Sequence, residues 1–382
     1  MIVETYEKLK LLSSQMHLEQ AEDISCIQLS KRRQDKIYVS DAVLPNGKRI
    51  SLLKSQLSTV CERNCYYCPF RSGRDFQRAT FGTEEFARLF MALYRTQIAE
   101  GIFLSSGIIN NSVFTQDKLI DTADILRNKL HFQGYIHLKI MPGAEYTQVE
   151  RAMQLADRVS INLEAPTTEH LANLAPKKQF IEELLQPLKW INQIRLNQPA
   201  YKGWNNRWPS SVTQFVVSAV GETDIELLST TEFLYNQLHL KRAYYSSFNP
   251  ITDTPLENIP PGSPEREHRL YEASYLLRDY GFSLEDLPFS QEGHLPLDVD
   301  PKYAWARENL TDRPVEINRV DKQELLRVPG IGPKTAKAIL AARLNNSLNH
   351  PEDLYAFGVN IKKAAPFILV NGKRAAYQTS FL

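Results

Sequence analysis

Residues 61–69 read Cys61-Glu62-Arg63-Asn64-Cys65-Tyr66-Tyr67-Cys68-Pro69. Three of the four cysteines in the chain fall inside this stretch. Neighbours this close make poor disulfide geometry, and such clustering points to metal or redox chemistry. Thiolates separated by three and then two residues can wrap one [4Fe–4S] cube. Only three ligands are local, which leaves one iron open to a small molecule. A closed structural zinc site takes four ligands, and no histidine lies near the loop. Cys26 stands apart. It can complete a four-ligand site or be a buried thiol, and both readings stand.

Outward from the loop, short apolar runs alternate with longer amphipathic segments. Strands are expected over residues 50–57, 101–105, 135–140, 158–163, 212–219 and 243–248, with helices over 83–100, 117–130, 147–155, 178–197 and 224–238. Strands that are nearly all followed by a helix give a parallel α/β architecture. A partial TIM-type (β/α)6 barrel suits the pattern better than an open doubly wound sheet. The first strand runs into cysteines and not into the glycine-rich phosphate loop of a dinucleotide fold. Barrel chemistry sits at the C-terminal ends of the strands, and Cys61–Cys68 follow the first strand directly.

The Cys-x3-Cys-x2-Cys spacing, with aromatic Tyr67 before the last cysteine, resembles the cluster loop of the radical S-adenosylmethionine (SAM) superfamily. The resemblance implies a [4Fe–4S] cluster on Cys61, Cys65 and Cys68. It also implies SAM on the open iron, cleaved by one electron to methionine and a 5′-deoxyadenosyl radical. An electron donor such as flavodoxin or ferredoxin is implied as well. Ser105-Ser106-Gly107 after the second expected strand resembles the superfamily's glycine-rich segment for the SAM amino group, although the usual Gly-Gly-Glu is replaced. Tyr67, Ser105, Ser106, Gly107, Lys139, Asn162 and Glu164 are the implied cofactor-binding residues. Lys139 and Glu164 can equally each belong to an ion pair at the barrel mouth.

Near the other end, Leu325-Leu326-Arg327-Val328-Pro329-Gly330-Ile331-Gly332-Pro333-Lys334-Thr335-Ala336-Lys337 joins two apolar-faced helices through a glycine hinge. Glycines permit the tight turn, and backbone N–H groups opening the next helix face outward as a ready phosphate site. The segment resembles the helix-hairpin-helix motif of DNA-repair and DNA-uptake proteins, in a small all-α domain. That resemblance assigns nucleic-acid contact to Gly330, Gly332, Lys334, Thr335 and Lys337. Such contacts grip the backbone without reading sequence. Residues 350–370 look like a degenerate second hairpin.

The 382-residue chain carries a net charge of +1, with 43% hydrophobic and 23% charged residues, an ordinary globular composition. Residues 311–382 hold eleven Lys/Arg against six Asp/Glu. This basic tail on a nearly neutral chain hints at a polyanionic partner. No apolar run approaches the ~20 residues that span a bilayer, and residues 1–20 lack a signal-type apolar core, so a cytoplasmic location without membrane attachment is the default. The expected organisation is an N-terminal extension (1–45), a barrel (46–289), a linker (290–313) and the helix-hairpin-helix domain (314–382).

Taken together, the chain resembles the putative DNA modification/repair radical SAM proteins, a barrel with a helix-hairpin-helix tail. The resemblance implies repair or modification of a DNA base by radical chemistry. The same chemistry on RNA such as tRNA, and a non-catalytic iron–sulfur DNA-binding protein, are the alternatives.

Overall fold

The computed structural model describes residues 2–15, 37, 39–43, 47–344 and 348–374. Cys26 lies outside the described residues. The chain divides into two compact units, one of residues 1–222 and 234–262, the other of residues 223–233 and 263–382.

In the first unit, seven strands lie side by side in chain order. They are β1 (Val39–Val43), β2 (Arg49–Gln56), β3 (Gly101–Ser105), β4 (Tyr135–Lys139), β5 (Arg158–Ser160), β6 (Ser210–Val217) and β7 (Arg242–Ser247). The six strands β2 to β7 are mutually parallel. β1 pairs antiparallel with β2 and was not legible beforehand. The first and last strands do not pair, so the sheet is an open, partial (β/α)6 barrel. The crossovers contain α2 (Thr83–Arg95), α3 (Ser112–Asp124), α4 (Tyr146–Leu155), α5 (Thr168–Leu174), α6 (Gln186–Asn197) and α7 (Asp224–Leu238), and α1 (Ile2–Gln15) precedes the sheet.

Alternation along the strands separates two environments. Leu53, Ile102, Leu104, Ile136, Leu138 and Val159 are fully buried or nearly so, as expected of a sheet face covered by helices. The opposite face begins with the apolar cluster Ala42, Ile50, Leu52 and Phe103. Towards the strand ends that face becomes polar, with Gln56, Ser105, Lys139, Asn162, Gln214 and Ser246 lining one cavity. A closed barrel fills this space with branched apolar side chains. Here the upper layer is polar and encloses a cavity.

Several element bounds differ from expectation for local reasons. α2 ends at Arg95 and not near residue 100, because Gln97 turns to φ 59° and Glu100 accepts the Ser51 N–H at 3.1 Å. α3 begins at Ser112, where the Asn111 side chain accepts the Phe114 N–H at 2.9 Å. The helix expected over 178–197 begins at Phe180, with a wider π-helical stretch at Phe180–Leu185 that runs directly into α6, where Pro187 stands in the first turn. Proline lacks an N–H and is tolerated in a helix's first turn. The expected strand 158–163 pairs regularly only over Arg158–Ser160.

The second unit comprises α8 (Pro264–Asp279), α9 (Pro301–Asn309), α10 (Lys322–Arg327), α11 (Pro333–Ala342) and α12 (Ile361–Ala364). To these helices it adds a three-stranded sheet of β8 (Val315–Glu316), β9 (Ile368–Val370) and β10 (Lys373–Arg374) in the order β10-β9-β8. The division falls at Gly262, earlier than the expected 289. Residues 290–313 are more than a linker: Ala306 and Leu310 belong to the same buried cluster as Leu325, Ile331 and Ile339, with Tyr280, Tyr303 and Trp305 packed on it.

Candidate cluster and cofactor site

The cysteine loop leaves β2 and is closed at its neck. Thr59 donates its N–H to the Ala79 carbonyl at 3.0 Å, and Phe81 donates to Leu57 at 2.9 Å. Arg78 fastens the interior of the loop. Its guanidinium donates to the carbonyls of Thr59, Phe70, Arg71 and Arg74 at 2.7–3.1 Å. The group also lies over the Phe76 ring at 4.1 Å. Only a planar fork of fixed donors reaches four carbonyls this way.

The end of β3 runs against the first cysteine. Gly107 donates its N–H to the Ser58 carbonyl at 2.7 Å, Glu62 donates to Ile108 at 2.9 Å, and the Ile108 N–H points to Cys61 Sγ at 3.4 Å. A side chain at 107 has no room, since a Cβ there would lie 2.2 Å from the Val60 carbonyl oxygen. The other side of the loop is held by the end of α5 and the segment after it. Tyr66 donates its N–H to Leu174 at 2.9 Å. Arg63 pairs with Glu183 at 2.6 Å, reaches Ser112 Oγ at 3.2 Å and also donates to the Lys177 carbonyl.

Behind the loop lies a buried charge pair. The Lys178 ammonium donates to Glu164 Oε1 and to the Tyr67 hydroxyl, each at 3.0 Å. Burial opposes charge on Lys178, yet the negative groups beside it, among them the hydrogen-bonded Glu164 carboxylate, outweigh it and hold its pKa above the ordinary value. Burial pushes the Cys65 thiol up, against the pull of Lys178. Burial also lifts the Tyr67 phenol well above its usual range, reinforced by Glu164. Glu164 sits at φ 66°, uncommon for a residue with a side chain. It is held there by two backbone bonds: its N–H donates to Gln214 at 2.9 Å, and its carbonyl accepts from Val216 at 2.8 Å. Nearby, Lys139 Nζ donates to Asn162 Oδ1 at 2.6 Å.

All ten sequence-assigned cluster and cofactor residues, Cys61, Cys65, Cys68, Tyr67, Ser105, Ser106, Gly107, Lys139, Asn162 and Glu164, line one cavity of about 460 Å³. That volume lies within the usual range for small-molecule sites. Glu164 does form an ion pair at the barrel mouth, the alternative considered for it from sequence, and its partner is Lys178. Sequence reasoning missed Arg63, Lys178 and Glu183, whose partners lie far along the chain.

The donor set suits an iron–sulfur cube with a small-molecule ligand. Each thiolate of a cube takes its own iron, so three thiols around a cavity need not converge on one point. Among the described residues, no group of three or more His, Cys, Asp or Glu side chains is placed to hold a metal ion. Ser105 Oγ is buried at the cavity wall without a hydrogen-bond partner among the described residues, a donor left for a ligand.

In the second unit, α10 and α11 form a hairpin around Pro329-Gly330-Ile331-Gly332. Gly330 has φ +84°, and a Cβ there would lie 2.7 Å from the Asn360 carbonyl oxygen. Gly332 caps α11, whose exposed face carries Lys334 and Lys337, with Thr335 half-buried. Beneath the hinge, the buried Lys302 ammonium donates to the Ile331 carbonyl at 2.7 Å and lies over the Tyr280 ring at 4.5 Å. Gly358, at φ +76°, ends the 351–357 turn where the second hairpin was expected.

A family model described as a helix-hairpin-helix motif matches residues 311–361. Among solved structures, the chain is similar to methylornithine synthase (PylB), with 15% identity, a TM-score of 0.47, and coverage of 59% of this chain and 61% of that one. It is similar to the FeFe-hydrogenase maturase HydG from Carboxydothermus hydrogenoformans, with 15% identity, a TM-score of 0.46, and coverage of 59% and 51%. It is also similar to the cobalamin-dependent S-adenosylmethionine radical enzyme OxsB with aqua-cobalamin and S-adenosylmethionine bound, with 14% identity, a TM-score of 0.34, and coverage of 62% and 36%. The match thus spans less than two thirds of each of these chains. No curated protein matches the chain. Among the described residues, no helix is long and apolar enough to cross a membrane.

Proposed function

We propose that this chain is a radical SAM enzyme that modifies or repairs a nucleotide in DNA. The observation that carries the reading is the convergence of Cys61, Cys65 and Cys68 on the same cavity as Ser105, Lys139, Asn162 and Glu164, at the C-terminal ends of parallel strands. When bound, a [4Fe–4S] cluster and SAM supply one-electron cleavage and hydrogen-atom abstraction. The residues of the chain do the rest. Arg78, Arg63 and Glu183 fix the loop that offers the thiolates, and Gly107 lets the β3 end approach Cys61. Ser105 Oγ and the Lys139–Asn162 pair orient a polar ligand against them. The cofactor carries the hard step, and the protein's part is orientation and exclusion of water.

The nucleic-acid part rests on the helix-hairpin-helix motif, whose exposed Lys334 and Lys337 sit at the start of α11. Backbone amides and lysines there suit phosphates without base readout. A base stacked within duplex must be extruded to reach a cavity, or be single-stranded already.

The test is 5′-deoxyadenosine release by the anaerobically reconstituted, reduced chain with SAM, across damaged and undamaged DNA and RNA. Stimulation by DNA above RNA is expected. Stimulation by RNA alone would transfer the reading to RNA modification, and no release with any nucleic acid would end it.

A further inference from the structure

The Lys178–Glu164 pair is costly. Its side chains are 8% and 6% exposed, and burying an ion pair often costs more than the attraction returns. Glu164 adds the strain of its left-handed backbone. Stability is therefore a weak reason for the arrangement, and its position suggests another. The ammonium rests on the hydroxyl of Tyr67, the residue directly before Cys68. Lys178 and Glu164 line the same cavity as Cys65 and Cys68, with Tyr67 between the ammonium and the last cysteine.

We propose that Lys178, oriented by Glu164 and Tyr67, is a positioning residue that sets the reduction potential of the cluster held by Cys65 and Cys68. The inference rests on the cluster reading above. Reducing a cube adds one negative charge to it, and a fixed cation in a poorly screened interior favours the reduced state. Cluster potentials respond to such net charge and burial. The sign follows directly: losing the ammonium removes a cation near the cluster and lowers the potential. Losing only the Glu164 charge raises it.

The experiment is an EPR-monitored potentiometric titration of the full-length, anaerobically reconstituted chain without SAM or substrate. Lys178→Gln should lower the reduced-to-oxidised ratio at least tenfold at the potential that half-reduces the wild type. That shift is about 59 mV for a one-electron couple. Lys178→Arg should stay near the wild-type midpoint, and Glu164→Gln should move it upward. A Lys178→Gln midpoint equal to that of wild type overturns the proposal. If Lys178→Gln cannot hold a cluster, Glu164→Gln decides: an upward shift supports the proposal and any other result overturns it. A wild-type chain that yields no [4Fe–4S] signal fails differently, because it removes the cluster reading and this inference with it.

Discussion

Replacing Gly107 by alanine adds one methyl group at the junction of β3 and the cysteine loop. That methyl would lie 2.2 Å from the Val60 carbonyl oxygen, 2.9 Å from its carbon and 3.1 Å from Cys61 Cβ. The first two are backbone atoms, so no flexible side chain can swing away. Restoring ordinary contact distances requires a shift of about 1 Å. The shift falls on the residue before the first ligand and on the Gly107–Ser58 and Ile108–Cys61 contacts. Overpacking of this kind costs about 1–3 kcal/mol. A displaced Cys61 also moves its thiol relative to Cys65 and Cys68, which line the same cavity. Gly107→Ala should therefore lower the urea midpoint of the first unit and lose most of its iron and sulfide per chain after reconstitution. Iron content and urea midpoint both equal to wild type would refute the argument that β3 braces the loop.

Arg78→Lys should also lower cluster loading, because an ammonium with three donors cannot serve four carbonyls in the plane of a guanidinium. Charge-assisted bonds contribute about 1.5–3 kcal/mol each, and chemical unfolding followed by iron analysis measures the loss. Lys334→Glu, and separately Lys337→Glu, should weaken DNA binding at all sequences and reduce the slope of log affinity against log salt by about one or more. Fluorescence anisotropy across a salt series checks this. Gly330→Asp is a poorer probe, because any side chain at φ +84° facing the Asn360 carbonyl perturbs the fold as well as the phosphates. Lys302 makes a pH prediction. Burial, opposed by Asp300, lowers its pKa to about 7 from an ordinary 10.5. The folded state then holds fewer protons than the unfolded state between these values, so stability should rise with pH from about 7 towards 10.5, with the penalty fully present below about 7. Lys302→Met should flatten this slope in pH-dependent urea titrations of the second unit, at the cost of the bond to Ile331. Equal slopes in both proteins would count against it.

The parts of the site that follow local spacing were legible in the sequence. Cys61, Cys65 and Cys68 announced themselves by separation alone, and Ser105, Lys139, Asn162 and Glu164 by their places at or just beyond strand ends. What stayed hidden depends on contacts between distant segments. Nothing around Lys178 in sequence says that a crossover will bring it to Tyr67, 111 residues earlier, and Arg63 meets Glu183 across 120. Both events are set by where α5 and the Phe180–Leu185 stretch lie over the loop. The Glu164 conformation was equally invisible, since only its two sheet bonds to Gln214 and Val216 impose it. β8 and β10, of two residues each, are too short for any alternation to register. The core role of α9 was masked because the prolines and glycines around it read as a linker.

The EPR spectrum of the reduced, reconstituted chain, recorded before and after SAM is added, decides whether three cysteines hold a cluster with one iron open to SAM. A [4Fe–4S] signal that changes on SAM addition and is lost in Cys65→Ala is expected. A full-strength cluster signal unaltered by saturating SAM would contradict the open-iron reading.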